Sequence, residues 1–249
     1  MILKINPYKM GSASARTLAQ SLDVKRIRTR FLRKQHHVLL NWGIGHNRLN
    51  PFRQGVDLNH PDAVRVAANK LSTLMALDTI NDLQYTRDIN DAREWVQESK
   101  VYCRTVLHGS SGDGIVVASN ADELAHALLY TKAAHHDNEY RIHVFKDRII
   151  HVQEKRRRNG ITPHDVRNHD NGYVFCQHDV NVPQIVLDKC LESVRLLGLD
   201  LGAVDVGYKL NIQDENEKVF IFEVNTAPGL EGTSIQRYTE AIANYMENL

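Results

Sequence analysis

Phe222-Glu223-Val224-Asn225-Thr226-Ala227-Pro228-Gly229 ends an apolar run with a carboxylate and an amide two residues apart. In a β-strand alternate side chains share a face, so Glu223 and Asn225 should offer oxygen donors side by side, with Phe222 and Val224 on the other face. Upstream, Leu201-Gly202-Ala203-Val204-Asp205-Val206-Gly207-Tyr208 reads as a second strand carrying one more acid, Asp205. The tract Gln213-Asp214-Glu215-Asn216-Glu217-Lys218 between them is polar and turn-prone, so the two strands should pair as a hairpin. That pairing sets Asp205 beside Glu223. Three oxygen ligands, with waters and phosphate oxygens in the remaining positions, suit a nucleotide-bound Mg²⁺.

The rest of the chain is compatible with an ordinary soluble protein. Its 249 residues suffice for one large domain or two small ones, and 42% hydrophobic content supports a normal core. With 31 basic against 30 acidic residues there is no global drive toward nucleic acid or membrane. Cys103, Cys176 and Cys190 lack C-x-x-C spacing and cannot all pair, which favours a reducing cytoplasm. No stretch approaches the ~20 apolar residues of a membrane span, and the start of the chain is too short in apolar length for a signal peptide.

Short strands are expected at Met1 to Asn6 and Val38 to Trp42, with Ser12 capping a helix from Ala13 to Leu22. A loop-like tract from Gly43 to Asn59 precedes a helix from Pro61 to about Leu77, and a subdomain boundary falls there. Val101 to Leu107 reads as a strand, Ala121 to about Leu128 as a short helix, and Leu129 to Ala133 as a strand leading into a linker. Tyr140 to Phe145, the turn Lys146-Asp147 and Arg148 to Val152 form a hairpin that places Arg141 and His143 on one face. Pro183 to Leu197 is an amphipathic helix with Val186, Cys190, Val194 and Leu197 on one stripe, ended by Gly198.

The pattern E-V-N-T-A-P-G, preceded by A-V-D-V, resembles the ATP-grasp superfamily of carboxylate–amine ligases, over the span from about Lys70 to the end. The resemblance is closest to the branch of the ribosomal-protein glutamate ligases and short bacteriophage-encoded members. It implies an α+β fold in which two α+β lobes clasp ATP: a reduced N-terminal α/β segment (1–62), a central lobe (63–134) and a C-terminal lobe with the magnesium site (135–249). It further implies that Asp205, Glu223 and Asn225 bind Mg²⁺ (or Mn²⁺), with ATP as the nucleotide.

His108-Gly109-Ser110-Ser111-Gly112-Asp113-Gly114 follows a strand, and its glycines let backbone N–H groups approach a phosphate while the serines add hydroxyl donors. By itself such a loop can equally be a turn; by resemblance, Ser110, Ser111 and Gly112 lie over the terminal phosphates. Arg104 stands where many relatives carry a phosphate-binding lysine, and Lys70 matches the other nucleotide-contacting lysine. A guanidinium is wider and more rigid than an ammonium, so Arg104 is a departure from the pattern. Tyr130, Thr131 and Lys132 match the inter-lobe hinge that offers backbone groups to adenine, and Phe222 is either an adenine floor or an ordinary core residue.

Glu139-Tyr140-Arg141 resembles the acidic-x-Arg element that opens the C-terminal lobe. In Gln153-Glu154-Lys155-Arg156-Arg157-Arg158 only alternate residues can face the cleft, and Lys155 and Arg157 share one face. Arg167-Asn168 resembles the segment that approaches the acyl phosphate or the substrate carboxylate, so Arg167, Lys155 and Arg141 are the expected catalytic cations. The 13 histidines, including His135-His136 and His164, show no H-x-x-x-H helix with a third ligand and read as surface residues or residues behind the site. Neither a G-x-S-x-G elbow nor a P-loop ending in G-K-[ST] is present, which argues against serine hydrolases and P-loop kinases.

The resulting expectation is an ADP-forming ligase joining a carboxylate to an amine acceptor, which is a small molecule, a peptide or a protein tail. Two alternatives stay open: a kinase of the same fold, and a nucleotide-binding regulatory module without turnover. A homodimer is compatible with the chain, although no short motif marks one.

Overall fold

The computed structural model describes residues 1–27, 34–46, 55–108, 112–211 and 216–249. Three sheets organise it. The first is parallel, in the order β2-β1-β3-β4, built from β1 (Ile2–Pro7), β2 (Lys25–Arg26), β3 (His37–Trp42) and β4 (Val56–Leu58). Helix α1 (Ala13–Ser21) crosses between β1 and β2, with the Ser12 hydroxyl accepting from the Ala15 N–H at 3.3 Å. This fits the expected small α/β start; β4 is an addition, drawn from a tract read as loop.

The tract from Pro61 is not one helix. Helix α2 (Pro61–Ala67) stops, and α3 (Lys70–Ala76) starts afresh with Asn69 as its cap, the side-chain oxygen accepting from Ser72 N–H at 3.0 Å. Asn competes with the backbone for such bonds and favours caps over helix interiors. The break puts Lys70 at the first position of a new helix, whose backbone N–H is held by the Leu107 carbonyl at 2.9 Å.

The second sheet is antiparallel, β5-β8-β6-β7, from β5 (Tyr85–Thr86), β6 (Val101–Arg104), β7 (Ile115–Ala118) and β8 (Leu129–Lys132), with α4 (Ile89–Trp95) packed on it. Strand β6 ends three residues before the expected Leu107. The helix expected from Ala121 shrinks to a single 3₁₀ turn, Ala121–Glu123, because Asn120 caps its start and the chain is extended again at Leu124.

The third sheet has the order β11-β10-β9-β12-β13, from β9 (Asn138–Phe145), β10 (Arg148–Arg157), β11 (Tyr173–Cys176), β12 (Leu201–Asn211) and β13 (Asn216–Asn225). Both expected hairpins form, β9–β10 around a Lys146 with φ of 53° and β12–β13 around residues outside the described set. One face carries Tyr140, Ile142, Val144, Val204, Val206 and Ile221 onto helix α5 (Gln184–Leu196), whose buried stripe is Val186, Cys190, Val194 and the following Leu197. Each such aliphatic side chain contributes about 1.5–3 kcal/mol. Val64, Ala67 and Leu77 join this core, so α2 and α3 lean on the third sheet although they precede the second.

The outer edge of β13 is covered rather than open. Asn81 pairs with both backbone groups of Ile221, at 2.9 and 3.0 Å, and Asp82 does the same for Val219 through its side chain and N–H, at 2.8 and 3.1 Å. Side chains thus stand in for a neighbouring strand, which protects an edge that would otherwise invite pairing. Helix α6 (Thr233–Glu247) returns to pack against α1 and the first sheet, with Tyr238 and Ile242 in the core beside Trp42, Leu18 and Phe145. Among the described residues no helix is long and apolar enough to cross a membrane.

Candidate active site

The polar face of the third sheet opens toward the second sheet across a cleft of about 1660 Å³. Strand register lays its side chains out in rows. One row runs Gln153–Arg141–Asp205–Glu223 across β10, β9, β12 and β13, and the next runs His151–His143–Ala203–Asn225. The expected neighbours Asp205 and Glu223 are therefore directly opposed, with Asn225 two residues along the same strand. The small Ala203 leaves room beside Asn225.

Each acid has a counter-cation. Arg141 grips Asp205 through two parallel bonds, Nε to Oδ1 at 2.6 Å and a terminal nitrogen to Oδ2 at 2.7 Å. Lys70, delivered by the first turn of α3, pairs with Glu223. The Asn225 amide nitrogen donates to Glu223 Oε1 at 2.9 Å and Asp205 Oδ2 at 3.3 Å. Burial would raise Glu223, but the Lys70 charge and these hydrogen bonds bring its pKa down to about 2. Asp205 is pushed above the usual carboxylate range, because burial and the Glu223 charge outweigh the attraction of Arg141. Protons entering the pair thus go to Asp205 first.

One orientation departs from the expected alternation. A β-bulge between Asp205 and Val206 leaves Phe222 as an extra residue in β13, so Phe222 and Glu223 both reach the cleft. Val219, Ile221 and Val224 stay on the α5 face, whereas Phe220 and Phe222 pack with Leu74, Leu83 and Leu129 between the sheets. A bulge re-aims one side chain in this way. Phe222 lies on the same face as Glu223, not opposite to it.

Across the cleft, the side chain of Arg104 at the end of β6 makes no hydrogen bond or ion pair with any described residue, and burial pulls its pKa below the ordinary value, with Glu223 opposing. A desolvated cation without a carboxylate partner is a seat for an anion. Gly112 lies in the cleft wall with φ of +89°, and a Cβ there would meet Val166 at 2.8 Å, so the loop needs glycine at this point. Ser110 and Ser111 fall outside the described residues.

Thr131 and Lys132 line the cleft, and Lys132 is paired with Glu98 at 2.9 Å. Tyr130 does not: its side chain is buried in the core of the second sheet, with its hydroxyl bonded near Ala125 and Ala127. Strand β8 is laddered to both β5 and β6 at Tyr130 and Thr131. The segment that actually bridges the two sheets along the cleft is 133–137.

Lys155, from β10, projects into the cleft and pairs with the buried Glu139. Arg141 and Lys155 both sit over the Phe175 ring, at 4.1 and 5.3 Å. Arg167 enters from the loop between β10 and β11, 2.6 Å from His136 and 3.7 Å from Glu139. His136, Glu139 and Phe175 were not among the expected site residues. Glu139 had been noted only as part of E-Y-R; His136 had no signal beyond its pair, and Phe175 none. His143 is buried and neutral, its pKa pushed down to about 3 by burial, between Gln153 and Tyr238.

Among the described residues no group of three His, Cys, Asp or Glu side chains converges as a metal site. Two carboxylates and an amide do converge, and this all-oxygen set suits a hard divalent cation once the Asn225 amide turns its oxygen inward.

Neither a protein-family model nor a curated protein matches the sequence. Solved structures do. The chain is similar to the ATP-grasp ligase PsnB complexed with a phosphomimetic variant of its minimal precursor, Mg and ADP (TM-score 0.66, 11% identity, 97% of each chain covered). It is also similar to a Chryseobacterium gregarium RiPP-associated ATP-grasp ligase in complex with ADP and a leader and core peptide (0.65, 13%, 100% of this chain and 97% of that). A third likeness is to D-alanine–D-alanine ligase from Bacillus anthracis (0.60, 12%, 98% and 92%). With near-complete coverage in each case, the chain has the ATP-grasp fold, a mixed α/β architecture built around several sheets.

Proposed function

We propose that this protein is an ATP-dependent ligase that joins a carboxylate to an amine through an acyl phosphate, releasing ADP and phosphate. The observation that carries the reading is the row Arg141–Asp205–Glu223 with Asn225, facing across one cleft an Arg104 side chain that pairs with none of the described residues. The division into a segment 1–62 and lobes 63–134 and 135–249 is part of this proposal, as is a cytoplasmic location. Lobes of this kind hold ATP between them, with Thr131, Lys132 and the segment after Tyr130 along the adenine edge and Phe222 beneath the ring.

Asp205, Glu223 and Asn225 would hold Mg²⁺ or Mn²⁺, which when bound neutralises charge on the triphosphate. Lys70, released from Glu223, and Arg104 would grip the phosphates, aided by Ser110, Ser111 and Gly112. A substrate carboxylate oxygen forms a bond to the γ-phosphorus as the β–γ bridge breaks and ADP leaves. The amine nitrogen then attacks the acyl carbon, loses a proton and expels phosphate. Arg167 and Lys155 stabilise the charge that develops on the acyl oxygens, while Arg141 orients Asp205. That two of the structural neighbours carry precursor or core peptides in their complexes supports a peptide substrate.

ADP release from MgATP with pooled amino acids, polyamines and acidic peptides, followed by mass analysis, tests the proposal beside Glu223→Ala. Release should need both a carboxylate and an amine and should vanish in the folded variant. ADP with a phosphorylated acceptor and no amide would replace the ligase by a kinase. MgATP binding without any release would leave a regulatory module.

A further inference from the structure

Gly207 of β12 leaves a gap in the polar face of the third sheet, and two rings occupy it. A Cβ at Gly207 would meet Phe222 Cζ at 2.8 Å and His136 Cγ at 3.0 Å. The rings of His136 and Phe222 lie 5.3 Å apart. His136 comes from the segment bridging the two sheets, and only 10% of its side chain is exposed.

Both ring nitrogens are engaged, and their partners determine the tautomer. Nδ1 lies 2.8 Å from the Ala134 carbonyl, which can only accept, so Nδ1 carries the proton. Nε2 lies 2.6 Å from an Arg167 guanidinium nitrogen, which can only donate, so Nε2 accepts. Glu139 stands behind both, 3.5 Å from His136 Nε2 and 3.7 Å from Arg167, and its other oxygen holds Lys155.

We propose that His136 is a positioning residue: its neutral, Nδ1-protonated imidazole holds Arg167 in the cleft and ties that arginine to the Phe222 wall of the nucleotide pocket. The assignment rests on the ligase reading for Arg167's role, and on geometry alone for the contact. The charged groups facing the ring are Glu139 from β9 and Arg167 from the β10–β11 loop. Lys155 of β10 lies beyond Glu139, and Tyr102 of β6 lies within electrostatic reach of Arg167 and Glu139. Phe222 of β13 brings no charge.

Two measurements test this. In a ¹H–¹⁵N spectrum of the histidine rings, His136 should show the Nδ1–H tautomer, with an Nε2 resonance that moves in Arg167→Ala and again on adding MgADP. An Nε2–H tautomer, or a resonance indifferent to both, overturns the proposal whether or not the protein is a ligase. With a carboxylate and amine that release ADP in the screen above, His136→Leu should raise KM for the carboxylate about tenfold while the MgATP Kd stays within about threefold. His136→Gln, whose amide oxygen also accepts, should recover most of that KM. A wild-type KM in His136→Leu, or a Gln variant no better than Leu, refutes the positioning role. Absence of ADP release from the wild type counts against the ligase reading instead, and the ring spectrum still decides the contact.

Discussion

Replacing Lys70 by methionine removes the counter-charge of Glu223 while keeping the length of the side chain. In the ligand-free protein the ammonium is the first of the groups that bring Glu223 down from 4.5 to about 2. That depression corresponds to about 3 kcal/mol at neutral pH. Asn225 and Asp205 contribute to it, and 29% of the Glu223 side chain still faces the cleft. The share lost with Lys70 is therefore about 2 kcal/mol, or about 4–8 °C in Tm for a chain of this size. Because the folded pKa of Glu223 lies below its unfolded value, this stabilisation is complete above about pH 4.5 and is lost as pH falls toward 2. The gap between wild type and variant should accordingly stay constant above about pH 4.5 and shrink steadily as pH falls below about 4. Thermal melts in EDTA across pH 3–7 provide the assay, and millimolar Mg²⁺ should narrow the gap at pH 7 by replacing the missing charge. A variant as stable as wild type at pH 7, or a gap that ignores pH, would show that Lys70 does not neutralise Glu223.

Two further outcomes follow from the same cleft. Arg104→Met should raise the MgATP Kd by about tenfold or more, as the loss of a charge-assisted contact implies, while leaving Tm unchanged or higher because no described residue pairs with the desolvated guanidinium; equilibrium titration with a fluorescent ATP analogue beside a melt checks both. Gly207→Ala puts a methyl group 2.8 Å from Phe222 and 3.0 Å from His136. Overpacking of this kind should cost about 1–3 kcal/mol in urea unfolding and weaken nucleotide binding together, and a neutral variant would mean that the two rings are not lodged against the strand.

The oxygen-donor row was legible because it is written in strand periodicity. Asp205, Glu223 and Asn225 sit on residue types that a hard cation needs, in strands whose turn signal predicts their pairing, and the register agrees. Arg141 and His143 on one face of β9 followed from the same rule. Phe222 broke it, because a bulge shifts the alternation by one residue and leaves no mark in local composition. The helix from Pro61 was read as continuous because Val64, Ala67, Leu74 and Leu77 keep an apolar spacing through the break, which Asn69 makes by capping. The adenine-edge reading of Tyr130 met a side chain turned into the second sheet, since its hydroxyl finds the Ala125 carbonyl and the Ala127 N–H there.

What the sequence alone determined is the chemistry within each strand: which side chains share a face and which oxygen donors stand side by side. Those are properties of residues two apart, and the backbone enforces them locally. Tertiary structure alone decided what faces them. Lys70 meets Glu223 over 153 positions, and Arg167, from the β10–β11 loop, meets His136 on the segment between the sheets. Such contacts depend on how separately folded sheets pack, and an isolated Gly207 shows in the sequence only as a missing side chain, not as the space into which two distant rings fit.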